Sequence, residues 1–351
     1  MYSVSIIIPV YNVEKYIERC LVSIMEQKGY EGYVECILVD DCSSDKSIII
    51  AQKLIEGYQG PISFLLIHNP ENQGPSCARN NGLYHAKGDY VLFLDSDDYI
   101  SHDCLANLLK ELYRHEGVID MVIGNSYDNN HDKYWQDCES SPFLITNHTD
   151  LMRRFLGFEI PMVAWNKLVH RQFLLEHHLL FEPHMLHEDE LWSYNLYNVA
   201  KSVVLIPEVT YHYEKNDGSI MNSTSNLNRR VEAYHSLVSH MLSSLGHNDL
   251  YVDRFFWGIH FFMIAFDMIL NNELSPKLKM DNKELSRKML VKSFCDGRLA
   301  IAFFVFLTTF QPFNRLVRFS WFRHRYHLLV SFFKKLALKG ELVHGLLTNC
   351  L

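Results

Sequence analysis

The sequence predicts an α/β fold: a mainly parallel sheet with flanking helices, followed by a helical C-terminal region. Three observations carry this. Short runs of β-branched and aliphatic residues alternate with helix-period segments through the first third of the chain, the rhythm of successive β–α–β units. The apolar runs are nearly unbroken rather than alternating, as strands covered on both faces require. From about Arg229 onward the pattern is helical and aromatic. A chain of 351 residues with 48% apolar content suffices for one large domain plus an appendage. The expected division is 1–221 for the α/β domain, with halves at 1–125 and 126–221, and 222–351 for the helical region.

Val4 to Val10 reads as the first strand, and Val13 to Gln27 as a helix with Asn12 as its cap. Cys36 to Asp40 is the second strand, with Ser43 and Ser44 as start signals for a helix reaching about Tyr58. Ile62 to Ile67 is the third strand. Gly74-Pro75 opens the next helix, Pro75 suiting its first turn and Gly88 its exit. Tyr90 to Leu94 is the fourth strand and runs into Asp95-Ser96-Asp97-Asp98. The helix that follows carries Leu105, Leu108, Leu109 and Leu112 on one face, with Asp103 as a candidate cap, and Ile119 to Ile123 is the fifth strand. Residues 128–141 read as a loop. Helices are expected around 149–157, 171–179 and 187–199, strands at Val203–Ile206 and Val209–Tyr213 separated by Pro207, and a loop at 214–226.

In an open parallel sheet, ligands bind beyond the carboxyl ends of the strands, where strand order switches. Pro9-Val10-Tyr11-Asn12, Asp40-Asp41-Cys42-Ser43 and Asp95-Ser96-Asp97-Asp98 all fall at such ends, so they can line one crevice. Carboxylates are hard oxygen ligands that suit Mg²⁺ or Mn²⁺, ions that keep positions for substrate phosphates. A turn whose acids cap the next helix has the same composition.

These motifs together resemble the family 2 glycosyltransferases of bacterial capsule and lipopolysaccharide synthesis, which have the GT-A (Rossmann-like) fold. The resemblance lies in Ser5-Ile6-Ile7-Ile8-Pro9-Val10-Tyr11-Asn12, Val39-Asp40-Asp41-Cys42-Ser43-Ser44-Asp45, Asn72-Gln73-Gly74-Pro75-Ser76-Cys77-Ala78-Arg79-Asn80-Asn81-Gly82 and Tyr90 to Asp98. Cys42 departs from the small residue usual there. The resemblance implies a nucleotide-binding half (1–125) and an acceptor half (126–221). It also implies an inverting, metal-dependent hexosyltransferase taking a nucleotide-diphosphate donor, a UDP-sugar, to a glycan or lipid-linked acceptor. Pro9 and Tyr11 would pack on the base, Asp40 would accept from uracil with Asp41 beside it, and Gly74 would admit the nucleotide closely. Arg79 would pair with Asp95 or a phosphate. Asp95 and Ser96 would contact the donor and Asp97 the Mn²⁺ or Mg²⁺. In His187-Glu188-Asp189-Glu190, Asp189 would be the catalytic base and Glu188 its rival; an acidic first helical turn favoured by the helix dipole looks the same. Trp165 would stack on an acceptor sugar or sit in the core, and Lys167 would meet a phosphate. His187 would lie near the leaving phosphate, and His212, Tyr213 and Ser219 resemble a segment closing over the diphosphate.

Two other readings compete. A sugar-phosphate nucleotidyltransferase needs a Gly-rich phosphate loop after the first strand, which Pro9-Val10-Tyr11-Asn12 is not. A membrane-associated scaffold with an inactive fold has no use for Asp40, Asp95, Asp97 and Asp189. His177, His178, His184 and His187 fit no zinc spacing.

The charge is uneven. From Arg287 to Lys339 eleven basic residues face a single acid, Asp296, leaving −18 on the rest of a chain whose total is −8. Leu299 to Phe310 is too short an apolar run to span a bilayer, and Arg315 to Lys339 interleaves basic and aromatic residues. This composition points to an anionic membrane surface rather than nucleic acid, for which no recognition motif is present. Eight cysteines without a CxxC pair, and an N-terminus opening straight into a strand, suggest a cytoplasmic protein, peripheral on the inner face of the cell membrane.

Overall fold

The computed structural model describes residues 1–134, 141–214, 227–245, 250–271 and 275–295. The chain divides into two compact units, Met1–Asn222 and Ser223–Leu351. In order, the first unit contains β1 (Val4–Val10), α1 (Ile17–Met25), β2 (Val34–Asp40), α2 (Ser47–Gly57), β3 (Ser63–His68), α3 (Pro75–His85), β4 (Tyr90–Phe93), β5 (Tyr99–Ile100) and α4 (Cys104–Arg114). It continues with β6 (Met121–Asp128), β7 (Lys133–Tyr134), β8 (Phe143–Ile145), α5 (His148–Leu156), β9 (Lys167–His170), α6 (Arg171–Glu176), α7 (Glu188–Val199) and β10 (Val203–Tyr213).

The strands form one mixed, mostly parallel sheet in the order β3-β2-β1-β4-β9-β6-β10-β5, with β7 on β6 and β8 on β10. β3, β2, β1 and β4 run parallel, as do β6 and β10. From β1 the chain steps outward through β2 to β3, then returns to place β4 on the other side of β1. That reversal puts the switch between β1 and β4, at the strand ends carrying the acidic motifs. The core is what the apolar runs specify: Ile6, Ile8, Cys36, Leu38 and Leu92 pack with Ile17, Leu21, Leu105 and Leu108, all nearly or fully inaccessible.

Several expectations are corrected. Asn12 does not cap α1, whose N-cap is Tyr16; its side-chain oxygen instead accepts from the Ser44 and Asp45 amides. α2 begins at Ser47, beyond Ser43 and Ser44, and Asp45 supplies the acceptor for the Ser47 amide at 2.9 Å. Asp103 occupies the cap position of α4, but its side chain makes no capping bond. Gly88 lies beyond the end of α3; a Cβ there would come within 2.6 Å of the Ser5 amide, so its task is close approach to β1.

β9 was not foreseen. It is short, begins with a lysine, and inserts antiparallel between β4 and β6. β10 runs unbroken through Pro207 because register shifts between Leu205 and Tyr211 remove that residue from the ladder. The short β5, β7 and β8 carry no period long enough to read.

In the second unit the described helices are α8 (Leu227–Ser244), α9 (Tyr251–Asn271) and α10 (Pro276–Cys295). Tyr234 of α8 stacks on Phe261 of α9, which also meets Trp257 edge-on, and His235 of α8 pairs with Asn282 of α10 at 2.9 Å. Among the described residues no helix is long and apolar enough to cross a membrane. The tail from Leu299 to Lys339, Ser219 and most of the 214–226 stretch lie outside the described residues.

Candidate functional site

The carboxyl ends of β1 and β2 build the first wall. Pro9 is half-buried near the end of β1, and Tyr11, just beyond it, is 46% exposed, leaving an aromatic face open to a planar ligand. Asp40 ends β2 with one oxygen accepting from the Ser43 amide at 2.8 Å and the other 3.0 Å from His68 Nδ1. Asp41 is different. It is 2% exposed, and its carboxylate accepts from Asn69 Nδ2 at 2.8 Å, the Gln73 amide at 3.0 Å and the Gly74 amide at 2.7 Å. Its place as a donor contact is therefore corrected: it ties down the 69–74 loop. That loop ends in Gly74, whose φ of +86° excludes most side chains and whose Cβ position faces open space.

The loop after β4 forms the floor. Ser96 is buried, while Asp95 and Asp97 on either side are half-buried. Arg79, projecting from α3 with 5% exposure, places Nη2 2.7 Å from Asp95 Oδ1 and Nη1 2.7 Å from Glu188 Oε1. Burial works against this cation, but the two carboxylates hold it firmly protonated. Arg79 thus meets Asp95 as expected; its other terminal nitrogen is taken by Glu188, and its buried Nε makes no hydrogen bond. Arg19 donates to the Asp97 carbonyl at 3.0 Å, pairs with Glu214 at 3.1 Å and lies over the Tyr99 ring. Asp98, unassigned by the sequence, is 1% exposed and accepts from the Tyr211 hydroxyl at 2.5 Å and the Glu214 amide at 2.7 Å.

Negative charge accumulates on this floor. Burial, then Asp97 and Asp95, push the Asp98 carboxyl well up; burial first, with these acids adding to it, also raises the Cys20 thiol and the Tyr211 phenol. Such a field favours a cation. Among the described residues no three His, Cys, Asp or Glu side chains gather as a self-sufficient metal cage. Asp95 and Asp97 as a pair suit a hard divalent ion that fills its remaining positions with phosphate oxygens and water.

The facing wall is the start of α7. His187 adopts φ +58°, turning the chain into the helix, and is buried with Nδ1 3.3 Å from Glu190 Oε1. It thus pairs with the first turn of α7. Glu188 is held by Arg79. Asp189, next in line, is half-buried, and one of its oxygens accepts from the Glu190 amide at 3.1 Å. Burial, then Glu188 and Glu190, raise its carboxyl well above the ordinary range, with Arg79 opposing them. An elevated carboxylate near an acidic floor is a strong proton acceptor once ionised.

Two expected acceptor contacts are corrected. Trp165 is 5% exposed and stacks on Tyr211 at 4.1 Å with 8° between the rings, so its face is occupied by the core. Lys167 is fully buried; its Nζ donates to the Val163 carbonyl, and burial pushes its ammonium down to about 7, with Asp189 opposing that shift. It cannot reach a phosphate in solution. His212 stacks flat on Tyr99 with Nε2 3.1 Å from Ser101 Oγ, which packs it against β5.

The sequence missed Asp98, Arg19, Glu214 and His68. Asp98 had a signal, a third acid directly after Asp-Ser-Asp; the others are recruited by tertiary contact and carry none.

The chain is similar in sequence and fold to known glycosyltransferases. Residues 5–178 match the model of glycosyl transferase family 2. A poly(ribitol-phosphate) beta-glucosyltransferase of Bacillus spizizenii is 28% identical over 295 residues, 83% of this chain and 44% of that protein, so the chain spans less than half of that relative's length. The crystal structure of S. aureus TarS 1–349 with UDP-GlcNAc superposes with TM-score 0.64 at 21% identity, covering 83% of this chain and 81% of that one. A mannosyltransferase from Pyrobaculum calidifontis with GDP-Man and Mn²⁺ gives TM-score 0.53 at 17% identity over 96% of this chain and 86% of that one. The fold of this chain is accordingly GT-A.

Proposed function

The chain belongs, through residues 5–178, to glycosyl transferase family 2, and from that premise we propose that it is an inverting, metal-dependent hexosyltransferase acting in cell-surface polysaccharide synthesis. The donor is a UDP-sugar and the acceptor a glycan or lipid-linked glycan. One observation carries the reading: Arg79 brings the Asp95–Asp97 floor and the Glu188–Asp189 wall together around the mouth of the β1–β4 switch. The UDP-GlcNAc bound to the TarS neighbour and the glucosyl transfer in the Bacillus relative's name support the donor class and the polymer setting. The GDP-Man and Mn²⁺ of the Pyrobaculum calidifontis neighbour support a divalent ion.

In this mechanism Pro9 and Tyr11 hold the base, Asp40 accepts from its ring N–H, and the Gly74 loop admits the ribose and diphosphate. A Mn²⁺ or Mg²⁺ held by Asp97 with Asp95 would neutralise charge on the leaving diphosphate. Asp189 takes the proton of the acceptor hydroxyl as its oxygen bonds the anomeric carbon. The bond from that carbon to the diphosphate oxygen breaks on the opposite side, so the configuration inverts. Peripheral membrane placement rests on the basic, aromatic composition of residues 299–351.

A screen of nucleotide sugars with Mn²⁺ tests this. Turnover with a UDP-sugar is expected, lost in Asp97→Ala and reduced about 10²–10⁴-fold in Asp189→Asn, with UDP binding retained in the latter. Turnover that survives chelation, or an Asp189→Asn enzyme of full activity, refutes the assignment.

A further inference from the structure

Arg79 does more than neutralise Asp95. It is rooted in α3, yet its two terminal nitrogens end on different elements: Nη2 on Asp95 of the loop after β4, Nη1 on Glu188 in the first turn of α7, each at 2.7 Å. Only a planar guanidinium holds two carboxylates in a fixed fork; an ammonium is a point charge with no such geometry. Around this polar bridge the same three elements meet again. Phe181 lies under the Arg79 guanidinium at 5.2 Å, against Phe93 of β4 at 5.2 Å and against Trp192 of α7 at 4.7 Å, while Phe93 and Trp192 meet at 5.7 Å. Asn80, beside Arg79, exchanges two hydrogen bonds with the Phe181 backbone at 2.8 and 2.9 Å. The junction is rigid because the aromatic packing and the charged fork specify one arrangement.

We propose that Arg79 and Glu188 form a positioning pair that sets the distance from the donor floor to Asp189, with Glu188 as anchor and not as proton acceptor. The inference rests on the glycosyltransferase reading of the same site. Glu188 precedes Asp189 on the first turn of α7, so fixing one carboxylate to Arg79 fixes the direction in which the next can face. Breaking the bridge leaves Asp95 and Asp189 in place chemically but free to drift relative to each other, and small displacements of reacting groups are expensive in rate.

The test is a mutant cycle of Arg79→Lys, Glu188→Ala and the double variant in the full-length protein, with Glu188→Gln as the conservative control. Four quantities are read: kcat, donor KM, the pH profile of kcat, and melting temperature. Glu188→Ala is expected to lower kcat about 10- to 100-fold, with donor KM within about threefold and the acid limb of the pH profile retained. Glu188→Gln, whose amide oxygen still accepts from Arg79, should recover most of that loss. The double variant should be no slower than the worse single one, since both remove the same bridge. A Glu188→Gln enzyme without an acid limb makes Glu188 the base and overturns the proposal; multiplicative effects of the two substitutions overturn it as well. If the unmodified protein turns over no nucleotide sugar, the glycosyltransferase reading fails. The pair is then judged on melting temperature: a double variant losing less than the two single losses combined upholds the bridge, and additive losses overturn it.

Discussion

Asp41 is a sequence-motif acid whose structural duty can be separated from donor contact by one substitution. Asp41→Ala removes an acceptor that is 2% exposed and receives three N–H groups: Asn69 Nδ2 and the amides of Gln73 and Gly74. Each donor left buried without a partner costs about 1–3 kcal/mol. Partial relaxation and an entering water reduce the sum, so the expected loss is about 3–5 kcal/mol, in the range of broken buried networks. For a cooperative unit of this size, about 2–4 °C per kcal/mol places the melting temperature about 6–20 °C lower. Thermal unfolding followed by circular dichroism reads this directly, and UDP titration should show weaker binding because the Gly74 loop loses its tether. Asp41→Asn should fall between, since its amide keeps one acceptor oxygen but turns a donor toward a backbone N–H. A protein that melts within about 2 °C of the parent while losing UDP binding would refute the reasoning and return Asp41 to the donor-contacting set.

Other outcomes follow from the buried groups. Lys167 has its ammonium pushed from 10.5 down to about 7 by burial, so between those values the unfolded chain binds the extra proton and stability rises with pH. Lys167→Met removes that slope: its melting-temperature advantage over the parent should be largest at pH 6 and shrink steadily up to about pH 10.5, and a gap independent of pH contradicts the shift. Trp165→Ala should cost about 3–5 kcal/mol as a core truncation, measured by urea unfolding; an unchanged midpoint with a raised acceptor KM restores the sugar-stacking role. Deleting residues 299–351 should abolish co-sedimentation with anionic vesicles, and undiminished sedimentation removes the tail from the membrane reading.

The parallel half of the sheet was legible because its strands announce themselves. Tyr90–Leu94 is an unbroken apolar run and Val4–Val10 is interrupted only by Ser5 and Pro9; each is followed by polar residues, the pattern of strands buried on both faces. The acids at the strand ends were legible for the same reason: a carboxylate directly after a buried strand must emerge at the sheet edge. What the chain does not announce is partnership at a distance. Arg79 and Glu188 lie 109 residues apart, and nothing local in either marks the other. Lys167 and Trp165 misled because a lysine and a tryptophan in a motif read as surface tools, whereas the insertion of β9 carries both indoors. Asn12 has the composition of a cap but caps no helix: with φ of +51° its side chain reaches across to the 44–45 amides, ahead of α2.

The antiparallel strand Lys167–His170 holds the two parallel groups of the sheet together: β4 pairs it on one side and β6 on the other, and neither touches the other directly. During synthesis, β1 to β4 and their helices emerge long before this four-residue insert. Until it arrives, the outer edge of β4 is a bare ladder of amide and carbonyl groups, open to pairing with any other strand in reach. Closing so distant a contact is slow relative to local helix formation. Truncation before residue 167 therefore yields an aggregating fragment rather than a smaller soluble domain, and a four-residue insert decides whether the two parallel groups become one sheet.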